Sequence, residues 1–184
     1  MDVMKAILTR RSVRKFKPES IPQDSIIRIL EAARWAPSWK NSQCPRLVVI
    51  TDRKIKEDIG RILAGNRAFE GVQSAPVLIA VCAKMGESGY GANGLATEKG
   101  DWYMFDCGLA VENILLSAWS LGLGSVIIGH FDTPAVARII DLPEGFALVN
   151  LIAIGVPDEN PEAPPRKALE QVSNLNKFGV KLEE

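Results

Sequence analysis

The stretch GLAVENILLSAWSLGLGSVIIG, residues 108–129, joins a helical pattern to a strand pattern. Its first half completes a run from Trp102 to Leu121 that is rich in Ala, Leu and Ile on most faces. A helix apolar nearly all round belongs in a core or an obligate interface. Gly122 and Gly124 stand where a left-handed C-cap is expected, and Ser125 to Gly129 then reads as a buried strand.

The same alternation continues on both sides. Upstream, Met1 to Arg11 has Val3, Met4, Ile7 and Leu8 at helical spacing. Pro22 to Trp35 carries Ile26, Ile29, Leu30 and Ala33 on one face, with Ser20 and Gln23 at capping-box spacing. Leu47 to Thr51 is a β-branched strand, Lys54 to Leu63 a helix, and Val77 to Cys82 a second buried strand. Gly86, Gly89, Gly91, Gly94 and Gly100 then interrupt any period, as expected of a mobile loop or lid. Downstream, Thr133-Pro134 predicts the N-cap and first residue of a helix through Ile140, and Ala147 to Ile154 a fourth strand. Past Gly155, Pro157, Pro161, Pro164 and Pro165 disfavour regular structure, so residues 155–184 are expected to form an extended arm that wraps a partner subunit. No repeat or second domain is visible, and residues 1–184 read as a single domain.

Charge and cysteine usage exclude several classes. Lys+Arg and Asp+Glu both number 22, so bulk attraction to nucleic acid or an anionic membrane is not expected. Apolar runs such as Val77 to Ala83 are too short to span a bilayer, and Asp2, Lys5, Arg10 and Arg11 interrupt any secretory leader. Cys44, Cys82 and Cys107 form no CxxC pattern, which fits a reducing cytoplasm. Cys82 lies in an apolar run and reads as a small buried hydrophobe. A single histidine, His130, makes no histidine-rich metal site.

Four segments carry candidate chemistry. Arg10-Arg11-Ser12-Val13-Arg14 places three arginines beside a hydroxyl, a donor set that suits phosphate oxygens. The same arginines also read as cations of a last helical turn facing the negative end of the helix dipole. Ala36-Pro37-Ser38-Trp39-Lys40-Asn41-Ser42-Gln43 lies between a helix end and a strand, and Asn41 and Gln43 suit a ring edge or polyol chain. Alone, it is an ordinary polar turn. Ile127-Ile128-Gly129-His130 ends a strand, where backbone N–H groups approach a planar ring if Gly129 permits close contact. Arg166-Lys167 is a second cationic pair, or simply a solvated tail. Dinucleotide, P-loop, GxSxG and HExxH motifs are missing, which suits an enzyme whose cofactor carries the chemistry.

Taken in order, RRSVRKF, APSWKNSQ, GLAVENILLSAWSLGLGSVIIG and LVNLIAIGVPDENPEAPPRK resemble the FMN-dependent nitroreductase family over essentially the whole chain. That resemblance implies an α+β fold with a mostly antiparallel central sheet flanked by helices, in an intertwined homodimer with an extended C-terminal arm. It implies FMN held by Arg10, Arg11, Ser12 and Arg14 at the phosphate, ribityl chain or pyrimidine edge. Pro37, Ser38, Asn41 and Gln43 would come from the neighbouring subunit or flank the same pocket. Ile128 and Gly129 would bring backbone to the ring, and Arg166, with Lys167 beside it, would return to the phosphate. NADH or NADPH would deliver hydride to the flavin, and a nitroaromatic, quinone or free flavin would then be reduced at the same site. Related readings are reductive dehalogenation, flavin-fragmenting oxidation, or a non-catalytic flavin-binding protein. One departure stands out: Cys44 and Pro45 follow Gln43, where many relatives have proline and tryptophan.

Overall fold

In a computed structural model that describes residues 2–65 and 69–182, the fold is organised about β2 (Val77–Lys84). Successive side chains of a strand point to opposite faces. Leu78, Ala80 and Cys82 enter one apolar cluster, while Val77, Ile79, Val81 and Ala83 enter the other. Both faces are covered, so this strand is an unbroken apolar run rather than an alternating one.

β1 (Pro45–Ile50) pairs with one edge of β2, and β6 (Phe146–Gly155) with the other. β5 (Gly124–Ile128) pairs with β6, giving the order β1-β2-β6-β5 with every ladder antiparallel. The expected α+β class, with an antiparallel sheet flanked by helices, is therefore borne out. The β2–β6 register shifts between Val81 and Cys82, whose partners are Asn150 and Leu148. That bulge puts Leu148 and Leu151, three residues apart, in the same core cluster.

Helices close both faces. α2 (Gln23–Arg34) and α5 (Tyr103–Ser120) cover one side through Ile29, Ala33, Cys107, Ala110, Ile114 and Ala118. α3 (Arg53–Ile62), α4 (Phe69–Ser74) and α6 (Thr133–Ile139) cover the other through Ile59, Val72 and Val136. Full burial of one such Ile, Leu or Val is worth roughly 1.5–3 kcal/mol.

Several local expectations are corrected. α1 (Val3–Thr9) is shorter than Met1–Arg11, with Asp2 as its N-cap and Arg10 as its C-cap. Met1, at one end of that expected helix, lies outside the described residues. The arginines therefore follow the last turn instead of occupying it. α1 buries only Ala6, while Val3, Met4, Ile7 and Leu8 are exposed. Pro22 precedes α2 without any side-chain cap, so the Ser20–Gln23 capping box does not form. Asp132, not Thr133, caps α6 by accepting from Ala135 N–H. Gly122 takes the left-handed C-cap at φ 78°, whereas Gly124 is the first residue of β5. α4 was not anticipated, since six residues containing a glycine show no apolar period.

The glycine-punctuated segment holds a short element that its sequence did not predict. β3 (Tyr90–Gly91) and β4 (Gly94–Leu95) form a small hairpin. Ala96 N–H donates to Gly89 C=O at 2.8 Å, and Trp102 N–H donates to Ser88 C=O at 3.1 Å. Gly89 has φ +83°, and a Cβ there would meet Gly100 O at 2.6 Å, so the loop closes on itself only through glycine. Beyond β6 the chain is irregular and mostly exposed through residue 182, apart from a 3-10 turn at Leu169–Gln171. Glu183 and Glu184 of the expected arm lie outside the described residues.

Candidate functional site

The arginine-bearing segment is laid along the open edge of β5. Ser12 forms a parallel bridge with Ser125, and Val13 N–H donates to Ser125 C=O at 2.9 Å. Phe16 bridges Pro157, Lys17 N–H donates to Val156 C=O, and Asp158 N–H donates to Lys15 C=O. Two glycines permit this approach. Gly124 and Gly155 are register partners, and a Cβ on either would lie 2.8 Å from Val13 or Phe16 respectively.

The segment thereby meets the start of the tail. Arg10, Arg11, Ser12, Arg14 and Arg166 line one cleft of about 300 Å³ with Pro161, Glu162 and Pro164. Backbone carbonyls orient three of the guanidiniums. Arg11 donates to Leu8 and Arg10 C=O at 2.9 and 2.8 Å, Arg14 to Ser12 C=O at 3.2 Å, and Arg166 to Pro164 C=O at 3.1 Å. Glu159 caps Arg14 from the tail side by accepting from its backbone N–H. Among the described residues, none of these four guanidiniums is in an ion pair with a carboxylate. With four arginines against Glu162 in its lining, the cleft carries an excess of positive charge in a neutral chain, suited to a phosphate held by forked donors.

The second candidate segment lies elsewhere. Pro37, Ser38 and Gln43 line a cleft of about 550 Å³ with an apolar floor of Leu30, Ala33, Leu47 and Ala110 and an Arg34–Arg46 rim. Its loop is conformationally strained, because Lys40, Asn41 and Gln43 have φ of 43°, 58° and 51°. Asn tolerates this region, but a non-glycine residue such as Lys or Gln held there costs of order 1–3 kcal/mol. Gln43 N–H donates to Ser38 Oγ at 2.9 Å, which leaves the Ser38 hydroxyl proton free to donate elsewhere. Asn41 is exposed and lines neither cleft.

Asp106 anchors this loop, and sequence reasoning missed it. It is only 1% exposed, in the first turn of α5. Its carboxylate accepts from Trp39 N–H at 3.1 and 3.2 Å, Ser42 Oγ at 3.1 Å, Ser88 Oγ at 2.7 Å and Cys44 Sγ at 3.5 Å. The signal was an acid on the stripe Asp106, Ala110, Ile114, Ala118, all of them buried. Cys44 is fully buried, and desolvation, reinforced by Asp106, pushes its thiol up to about 11. It is a protonated donor, consistent with an inert thiol.

Ile128 and Gly129 stand apart from both clefts. Ile128 is the last residue of β5 and its side chain is buried in the core. Gly129 is exposed, and a Cβ on it would meet nothing within 4 Å. One chain therefore unites Arg10, Arg11, Ser12, Arg14 and Arg166, but leaves them separate from Pro37, Ser38 and Gln43.

An antiparallel core flanked by helices, carrying a cationic cleft and a polar loop, defines an α+β protein. The family model described as the nitroreductase family matches residues 7–70 and 64–156, and the chain belongs to that family. A protein of Methanothermobacter thermautotrophicus, provisionally named an NADH dehydrogenase/NAD(P)H nitroreductase, is 34% identical over 88% of this chain and 80% of its own length. The 5,6-dimethylbenzimidazole synthase of Rhodospirillum rubrum is 30% identical over 87% of this chain and 84% of its own. Among solved structures, the NADPH:FMN oxidoreductase of Vibrio harveyi in complex with NAD+ superposes with a TM-score of 0.80 at 27% identity, covering 98% of this chain and 79% of that one.

Proposed function

We propose that the protein is an NAD(P)H-dependent FMN oxidoreductase that reduces nitroaromatic, quinone or flavin acceptors. Residues 1–184 act as one flavin-binding unit, and two copies form a homodimer. The observation that carries this reading is the cleft in which four arginines and Ser12 converge without a neutralising ion pair among the described residues. Similar proteins named as an FMN reductase and an NADPH:FMN oxidoreductase support FMN as the phosphate-bearing group for this donor set.

Arg10, Arg11, Ser12, Arg14 and Arg166 would hold the phosphate end. Pro37, Ser38, Asn41 and Gln43 of a second copy would supply polar groups to the ring and polyol chain, a reading that fits the separate cleft of Pro37, Ser38 and Gln43 in one chain. Backbone at Ile128 and Gly129 would face the ring. Bound flavin supplies hydride acceptance from NAD(P)H and electron delivery to the acceptor, in two half-reactions at one site. The chain's own part is binding, orientation and positive potential.

Support for the homodimer comes from apolar surface that one chain leaves open: Val3, Met4 and Leu8 of α1, Met104 and Phe105 of α5, and Phe178, which is 98% exposed. The start of the tail, through Arg166, meets its own chain, and the part beyond it would lie against the second copy.

The test is the absorption spectrum of purified protein and its bleaching by NADH or NADPH. Arg10→Ala and Arg14→Ala each remove a charge-assisted hydrogen bond worth about 1.5–3 kcal/mol, so FMN affinity should fall about 10- to 100-fold. Stoichiometric retention of FMN by both variants would sink the phosphate-clamp assignment. The Rhodospirillum rubrum relative supports a second reading, a specialised flavin chemistry on the same site. Steady NAD(P)H-driven turnover of nitroaromatics, quinones or flavins decides against it.

A further inference from the structure

We infer that Asp106 is the positioning residue for the polar loop 37–43, and through it for the flavin. This rests on the reading of that loop as part of the flavin site. The loop holds Lys40, Asn41 and Gln43 in the left-handed region, yet contains no glycine to relieve the conformation. Its own hydrogen bonds are few: Asn41 N–H to Ser38 C=O, Ser42 N–H to Trp39 C=O, and Gln43 N–H to Ser38 Oγ. Asp106 supplies the fixed point that these local bonds lack. It takes Trp39 N–H just before the left-handed pair, Ser42 Oγ just after it, and Cys44 Sγ just after Gln43. The turn is therefore pinned on both sides of each strained residue, from a helix belonging to the opposite part of the chain.

The same carboxylate reaches a third segment. Ser88 is fully buried and donates to Asp106 at 2.7 Å. Trp102, at the N-terminal end of α5, packs on Trp39 with ring centroids 5.0 Å apart. Asp106 thus couples the loop to the 86–102 segment as well as to α5. No lysine or arginine pairs with it among the described residues. Its compensation is a set of neutral donors, which is a geometric demand and not merely a charge requirement.

Asp106→Ala leaves Trp39 N–H and Ser42 Oγ without this buried acceptor and frees the loop from its anchor. Asp106→Asn keeps one oxygen for Trp39 N–H and lets the Ser42 and Ser88 hydroxyls accept from its amide. FMN dissociation constants are read by flavin fluorescence quenching, well below each variant's melting temperature, with the flavin midpoint potential read alongside. A core variant, Ile114→Val, controls for lost stability. Asp106→Ala should weaken FMN binding at least about tenfold and shift the potential. Asp106→Asn should recover most of both, and Ile114→Val should move neither.

Wild-type affinity and potential in Asp106→Ala would overturn the inference, as would an equal loss in Ile114→Val. If Asp106→Ala does not fold, Ser42→Ala should weaken FMN binding more than Ser88→Ala, since only Ser42 sits on the loop. No loss in either variant also overturns the inference. Failure of the unmodified protein to bind FMN would instead remove the reading of the site itself.

Discussion

Cys44, Cys82 and Cys107 show how position rather than residue type decides chemistry. Desolvation is the first cause at all three, pushing the Cys44 and Cys82 thiols up to about 11 and the Cys107 thiol up to about 12, from an ordinary value of 9.0. The native protein should therefore be inert to a thiol reagent at pH 8, and unfolding should release all three cysteines to it. Reaction of Cys44 in the folded state would contradict its burial. The linkage has a definite sign. A folded thiol with a raised pKa adds stability that is fully present below pH 9 and is lost as pH rises toward 11. Urea midpoints should accordingly fall across that window. Part of the candidate site was legible: the arginines and Ser12 do meet in one cleft and Gln43 lines the other, whereas Asn41 lines neither. The left-handed backbone at Lys40 and Gln43 was not, because neither residue type favours it. Asp106 escaped notice for a related reason, since its partners are 18 to 67 residues away in the chain.

At the scale of elements, periodicity located most helices and strands to within one or two residues. The ends were less readable. A cap is a contest between nearby polar side chains, and Asp132 won over Thr133 because its carboxylate reached Ala135 N–H at 3.0 Å. The Gly124–Gly155 pair illustrates a second limit. GLG and IGV read as a helix stop and a strand exit, yet neither Gly124 nor Gly155 needs glycine for its own φ. Each is needed for the space that Val13 and Phe16 fill. Gly155→Ala should overpack this contact against Phe16 and Pro76, at a cost of about 1–3 kcal/mol. Because residues 12–17 carry Ser12 and Arg14 of the cationic cleft, FMN binding should weaken along with the melting temperature. A variant that lost stability but kept full affinity would separate the glycine pair from the cleft.

At the scale of the whole molecule, Val3, Met4, Ile7 and Leu8 of α1 stay exposed on this chain. Val3 is 66% and Leu8 65% exposed, while α1 meets its own chain through Ala6 and a Trp119 Nε1 bond to Thr9 Oγ1. If the proposed homodimer uses α1, Met4→Glu with Leu8→Glu should leave the chain folded but shift its sedimentation from dimer toward monomer. FMN affinity should fall in parallel, since the polar loop would then be missing from the opposite side. An unchanged dimer would rule out α1 as part of the interface.

Sequence alone determined the alternation of helices and strands, the neutral charge with one cationic focus, and the family resemblance. All three depend on spacing and composition, which are local properties. Tertiary structure decided which groups meet. It carried Arg166 to Arg10, set Asp106 beneath the loop of Trp39 and Ser42, and left Pro37 and Gln43 in a cleft of their own. Such meetings depend on sheet order and on the space left by two glycines, and a linear pattern encodes neither.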